Sequence, residues 1–125
     1  MGTSKSLRRI LVVDDDAAIR LLLEYVLGLD GFETDLVESI EKAVELLDFD
    51  RQCLLITDLH LSGRSGLELI LKVRAQSSNF PILLLSSDPA AFEAVEHDPK
   101  LVRLSKPFEL DEFRASVRRL TSGSD

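Results

Sequence analysis

The chain is poor in the residues that staple or anchor a small fold. Its 125 residues include one cysteine, one methionine, one tyrosine, four prolines and no tryptophan. A lone cysteine excludes an intramolecular disulfide and a cysteine-rich zinc site. Within Arg51-Gln52-Cys53-Leu54-Leu55-Ile56, Cys53 reads as a small apolar core residue rather than a reactive thiol. No apolar run approaches the about 20 residues that cross a bilayer, so no membrane span is expected. The opening Met1-Gly2-Thr3-Ser4-Lys5-Ser6 carries no apolar stretch of the secretory kind, and a cytoplasmic location is expected. Gly2 with Ser6 fits a myristoylation pattern only as loosely as chance allows. Positive charge is also in the minority: 15 Lys and Arg stand against 22 Asp and Glu, a net charge of −7. That balance argues against a bare nucleic-acid-binding module. It favours cations, or partners with basic surfaces.

What is present fits one globular domain. Hydrophobic residues make up 45 % and charged residues 30 %, too apolar for a solvated coil. The length supports one core and not two.

Short apolar runs alternate with amphipathic stretches. Ile10-Leu11-Val12-Val13 reads as a strand buried on both faces. Asp16 is placed to cap a helix carrying Ile19, Leu22, Leu23, Val26 and Leu27, which Gly31 ends. Phe32 to Val37 suits a less buried strand. Ser39 can cap a helix with Ile40, Ala43, Val44, Leu46 and Leu47. Cys53 to Thr57 is a second fully apolar strand ending at Asp58, followed by a loop from His60 to Gly66. A third helix takes Leu67, Leu69, Ile70, Leu71 and Val73. Pro81 to Ser87 is another buried strand, and Asp88-Pro89 opens a short helix through Ala90, Phe92, Ala94 and Val95. Leu101 to Leu104 is the last strand, and Leu110, Phe113, Val117 and Leu120 line the last helix. The order βαβαβαβαβα predicts a doubly wound (βα)5 α/β fold, a five-stranded parallel sheet covered on both faces.

In such folds the ligand site lies at the carboxyl ends of the strands. There stand Asp14-Asp15-Asp16, Asp58, Ser86-Ser87 and Lys106-Pro107. Converging carboxylates repel one another, and a hard divalent cation such as Mg²⁺ relieves the repulsion with oxygen ligands. A hydroxyl and an ammonium facing the same space suit a phosphoryl group. With His60 and His97 as the only histidines, no Ser-His-Asp or Cys-His set is visible. A carboxylate can itself be the nucleophile, and Asp58 is the candidate.

These motifs, in this order and strand context, resemble the receiver domain of two-component response regulators over about Leu7 to Leu120. The resemblance implies a flavodoxin-like sheet of order 2-1-3-4-5. It implies that Asp58 accepts the phosphoryl group. Asp15 corresponds to the direct metal ligand, Asp14 to its partner, and His60 to the residue whose backbone carbonyl completes the Mg²⁺ site. Ser86 matches the switch hydroxyl, Ser87 the small residue beside it, and Lys106 the lysine that pairs with the phosphoryl group. Pro107 follows through what is usually a cis bond. Asp16 is read as a helix cap.

Four departures from the pattern stand out. Ser62 occupies a position where proline is frequent, so a less rigid loop is expected. Arg103 stands where an aromatic switch residue is common, and burying an unpaired guanidinium costs several kcal/mol. It is therefore expected to stay solvent-facing on the output face or to pair with an acidic neighbour such as Glu109. The segment between Ser87 and Lys106 is short, with Pro99 limiting its helix. His60 and Asp88 flank the phosphoryl position. Arg114, Arg118 and Arg119 read as a solvated face, with a protein-contact surface as second reading.

The organisation expected is an arm at 1–6, a receiver at 7–120, and a tail or linker start at 121–125. The chain is then a phosphorylation-controlled switch, not an enzyme apart from its own phosphorylation and dephosphorylation. Its partners are a histidine kinase or phosphotransfer protein, and a downstream effector or a covalently linked output domain. Two alternatives stay open. One is a Mg²⁺-dependent phosphohydrolase with an aspartate nucleophile, faintly suggested by Asp14-x-Asp16. The other is a non-phosphorylated receiver that binds partners constitutively.

Overall fold

Four apolar runs and the more polar segment Glu33–Val37 become the five strands of one parallel sheet in the computed structural model, which describes residues 8–88 and 97–122. The elements are β1 (Arg9–Val13), α1 (Ala17–Leu29), β2 (Glu33–Val37), α2 (Ile40–Leu46), β3 (Gln52–Asp58), β4 (His60–Leu61), β5 (Arg64–Ser65), α3 (Gly66–Gln76), β6 (Ile82–Ser86), β7 (Leu101–Ser105) and α4 (Leu110–Thr121). The sheet order is β2-β1-β3-β6-β7, the 2-1-3-4-5 order expected. The helix expected from Asp88-Pro89 to Val95 lies outside the described residues.

Alternation along the strands splits the core into two layers. Leu11, Val13, Leu55, Ile82 and Leu84 face α2 and α3, where Ile40, Ala43, Leu69, Ile70 and Val73 meet them. Ile10, Val12, Leu54, Ile56, Leu83 and Leu85 face α1 and α4, where Leu23, Val26, Leu27, Phe113 and Val117 cover them. The central strands are therefore apolar through their middles, from Ile10 to Val13, Leu54 to Ile56 and Ile82 to Leu85, because both faces are dry there.

The caps fall where the side chains allow. Asp16 accepts from the amides of Ala18 and Ile19 at 2.9 and 3.4 Å, and Ser39 Oγ accepts from Lys42 N–H at 3.2 Å. Gly31, at φ +87°, turns the chain out of α1 in a conformation that glycine adopts freely.

Two expectations need correction. Leu22, Val44, Leu46, Leu71 and Leu110 were expected on buried faces, yet each is at least two-fifths exposed. A helix on a sheet buries a single stripe. In α1 that stripe runs through Leu23, Val26 and Leu27, and Leu22 is rotated about 100° away from Leu23. Leu71 stands in the same relation to Ile70 in α3, while Leu110 sits at the very start of α4. The loop after Asp58 also holds more structure than expected. β4 and β5 pair antiparallel, joined by Ser62 and Gly63 at φ +50° and +82°. Positive φ at both central residues marks the type I′ class of two-residue hairpin turn.

Candidate functional site

The register of the sheet decides which strand-end residues meet. Val13 pairs with Thr57, so Asp14 and Asp58 follow on neighbouring strands. Asp58 pairs with Leu85, and Ser86 pairs with Ser105, just before Lys106. A cis bond joins Lys106 to Pro107. The Lys106 ammonium lies 3.2 Å from Asp58 Oδ2 and 3.5 Å from Asp14 Oδ2. One oxygen from each of Asp14, Asp15 and Asp58 falls within a mutual 4.8 Å. The strand ends thus bring together three carboxylates and one ammonium, contributed by the segments after β1 and β7 and by the last residue of β3.

Each carboxylate is held differently. Asp14 is 1 % exposed. Its Oδ1 accepts from Asp16 N–H at 2.9 Å, and its backbone carbonyl accepts from Arg20 Nη1 of α1 at 2.6 Å. Its buried Oδ2 has no hydrogen bond, only the Lys106 ion pair. Burial pushes the Asp14 carboxyl above its ordinary value, and the Asp58 charge adds to the rise. The Asp16 amide and Lys106 oppose it. Asp58 is also buried, and its Oδ1 accepts from Leu59 N–H at 2.9 Å. Asp15 is exposed, and its Oδ2 takes both the amide of Ser62 at 2.9 Å and the Ser62 hydroxyl at 3.0 Å.

The remaining residues singled out in the sequence fall around this cluster. Ser86 is fully buried; its Oγ accepts from Asp88 N–H at 2.9 Å and donates to the Asp88 carbonyl at 3.4 Å. Ser87 is exposed at the end of β6. His60 is exposed at the start of β4, opposite Ser65. Arg103 is exposed on β7, so no guanidinium is buried there. Arg114 is not a free solvated cation: it bonds Asp30 through two nitrogens at 2.6 and 3.0 Å, at the opposite, amino-terminal edge of the sheet. Cys53 is half-buried, and burial pushes its thiol up, away from reactivity.

Three residues of the site were not singled out beforehand for the parts they take. Gly66 opens α3 directly behind Asp58: its amide bonds the Leu59 carbonyl at 2.5 Å, and a Cβ here would overlap the Asp58 carbonyl oxygen. Arg64 ties the hairpin to α2 and α3 through Glu41 and Glu68. Ser62 reaches Asp15 across the cluster. The only advance signal for any of them was the Ser62-Gly63 dipeptide, which suits a tight hairpin turn.

The donor set fits a divalent cation. Three carboxylates against one ammonium leave two negative charges uncompensated, and Asp14 Oδ2 lacks a hydrogen-bond donor. Hard oxygen donors of this kind are what Mg²⁺ takes.

A parallel sheet in this order, with an acidic cluster and a lysine at its carboxyl edge, defines a class. The family description "response regulator receiver domain" matches residues 10–118, and the chain belongs to that family. Among its relatives, response regulator MprA of Mycolicibacterium vanbaalenii is 33 % identical over 114 residues, covering 90 % of this chain and 49 % of the relative. MprA of Mycobacterium ulcerans is 34 % identical with the same coverage. The chain thus spans about half the length of these curated relatives. A putative response regulator from Chloroflexus aurantiacus superposes with TM-score 0.84 at 31 % identity, covering 95 % of this chain and all of that one. The response regulator TrrA of Thermotoga maritima, solved in complex with Mg²⁺-BeF, superposes at 0.79 with 32 % identity over 90 % of this chain and 98 % of that one. Among the described residues no helix is long and apolar enough to cross a membrane.

Proposed function

We propose that this chain is a phosphorylation-controlled signalling switch that accepts a phosphoryl group on Asp58 from a histidine kinase or phosphotransfer protein. The carrying observation is the buried Asp58 carboxylate with Lys106 Nζ at 3.2 Å and the Asp14 and Asp15 carboxylates beside it. In the transfer, an Asp58 oxygen forms a bond to phosphorus while the bond from phosphorus to the donor nitrogen breaks, its electron pair leaving with that nitrogen. Lys106 offsets the negative charge of the phosphoryl oxygens. Leu59 N–H holds Asp58 Oδ1, fixing the orientation of the carboxylate. Asp14, Asp15 and Asp58, with the His60 carbonyl, would hold Mg²⁺, which supplies further charge neutralisation of those oxygens. TrrA, a relative by structure with Mg²⁺-BeF bound, supports this reading.

Ser86 is the switch residue of this proposal. Its hydroxyl leaves the turn with Asp88 and donates to the new phosphoryl oxygens. That draws the segment after β6 inward and shifts an equilibrium on the face that includes β7 and α4. Ser87 lies beside it and Arg103 on that output face, where it meets the partner. The receiver occupies 7–120, with an arm at 1–6 and a tail or linker at 121–125. It acts in the cytoplasm on an effector protein or a linked output domain, without contacting nucleic acid itself.

The test is incubation with a small phosphodonor and Mg²⁺, read by intact mass. One phosphoryl group should add to the wild type and none to Asp58→Asn, and hydroxylamine should remove it. A label that persists in Asp58→Asn would place the nucleophile elsewhere. Catalytic turnover of a phosphomonoester, in place of stoichiometric labelling, would favour the phosphohydrolase alternative.

A further inference from the structure

We propose that Ser62 is a positioning residue for the acidic cluster: its amide and its hydroxyl together hold the Asp15 carboxylate ready for a divalent cation. The inference rests on the Mg²⁺ reading above and assigns a role to a residue outside the ligand set.

Asp15 is the exposed member of the three carboxylates. An exposed aspartate samples several staggered rotamers, and only those turned toward Asp14 and Asp58 can share a cation with them. Ser62, 47 residues further along the chain, restricts that choice with bonds of 2.9 Å from its amide and 3.0 Å from its hydroxyl. Both bonds end on Oδ2, so Oδ1 is not engaged by Ser62. The donors are neutral dipoles. They stabilise the carboxylate against its two like-charged neighbours without adding a positive charge that would repel a cation. Lys106, whose ammonium lies beside Asp14 and Asp58, has the opposite effect on cation affinity.

The backbone explains why serine suits this place. Ser62 has φ +50° in the two-residue turn between β4 and β5. Proline is locked near φ −65° and carries no N–H. A proline here could neither form this turn nor give the amide bond to Asp15. A non-glycine residue avoids the left-handed region unless its surroundings stabilise it there. Here the two bonds to Asp15 provide that stabilisation, so turn and carboxylate hold each other. The loop, expected to be looser for want of proline, is instead tied to the site by hydrogen bonds.

The experiment is a Mg²⁺ titration followed by amide NMR on wild type, Ser62→Ala, Ser62→Gly and Ser62→Asn, with a urea melt of each. Ser62→Gly keeps the amide and relieves the backbone, so it separates loss of the hydroxyl from loss of folding. Ser62→Ala and Ser62→Gly should each weaken Mg²⁺ binding about tenfold, the lower end of the scale for one hydrogen bond to a charged group. Ser62→Asn tolerates the left-handed backbone and carries a side-chain donor, and should recover most of that loss. A second signature needs no metal: the Ser62 amide proton, bonded to a carboxylate, should move upfield in Asp15→Ala. Wild-type binding with unchanged or tighter affinity in Ser62→Ala and Ser62→Gly would overturn this inference alone. Failure of the wild type to bind Mg²⁺ would overturn the metal reading and this inference with it.

Discussion

Replacing Gly66 by alanine tests whether the position of Asp58 depends on close backbone packing. A Cβ at residue 66 would overlap the carbonyl oxygen of Asp58 and sit 3.2 Å from both Asp58 C and Leu59 Cα. None of these atoms belongs to a flexible side chain that could swing away. Relief needs a backbone movement on the order of 1 Å, because the repulsive wall rises steeply inside contact distance. Overpacking of this kind costs up to about 3 kcal/mol. The same movement disturbs the Gly66 amide bond to the Leu59 carbonyl, a further loss of about 1 kcal/mol. Alanine returns about 1 kcal/mol through lower backbone entropy in the unfolded chain and better helix propensity. The net expectation is a destabilisation of about 3 kcal/mol. With a urea m-value of about 1.5 kcal/mol per molar, the midpoint should fall by about 2 M. Phosphoryl uptake at Asp58, measured under conditions where the variant is folded, should slow as well. A midpoint within about 0.3 M of wild type would refute the argument, since α3 would then have room to shift at little cost.

The carboxyl of Asp14 is raised in the fold, so its ionisation costs stability as pH climbs through its folded value. The Tm advantage of Asp14→Asn over wild type should therefore grow between pH 4 and pH 7, and a shrinking difference would contradict it. Asp98 has the opposite sign: burial alone would raise it, but Arg74 and the Lys100 amide hold it below its ordinary value. Its stabilisation is present above the unfolded aspartate range and is lost as pH falls through the lowered folded value. Arg74→Ala removes the two bonds to Asp98 and those to the Ser77 and Phe80 carbonyls, and should cost about 2 kcal/mol at neutral pH and less in acid, by urea melts. Ser86→Ala should abolish most of the phosphorylation-induced amide shifts in β7 and α4, while Arg103→Ala keeps them. The reverse pattern would move the coupling to residue 103.

The architecture was legible because parallel strands buried on two faces leave an unmistakable trace. Ile10 to Val13 and Ile82 to Leu85 have no polar position, and nothing but a doubly covered sheet accounts for such runs between amphipathic helices. What the sequence did not settle was helix rotation. Leu71 neighbours Ile70 and is no less apolar, yet one is exposed and the other buried. Apolar spacing identifies a helix but sets its facing only to within about one residue, and the sheet it lands on decides the rest.

The site divides along a similar line. Asp14, Asp58 and Lys106 could be placed together from sequence because each ends or directly follows a strand, and neighbouring strands in register carry their last residues to one edge. The hairpin was different. Ser62 lies four residues past Asp58 and looks like ordinary loop, and its contact with Asp15 depends on two consecutive positive φ angles that fold it back over β1's end. A serine does not announce that conformation as glycine or asparagine would. Gly66 was equally silent: its value lies in a side chain it does not have, against a carbonyl that only the assembled fold brings near. Residues that act by position along a strand can be read from the chain. Residues that act by closing one segment over another become visible only when both segments are in place, and in this site those residues control where the carboxylates of Asp15 and Asp58 stand.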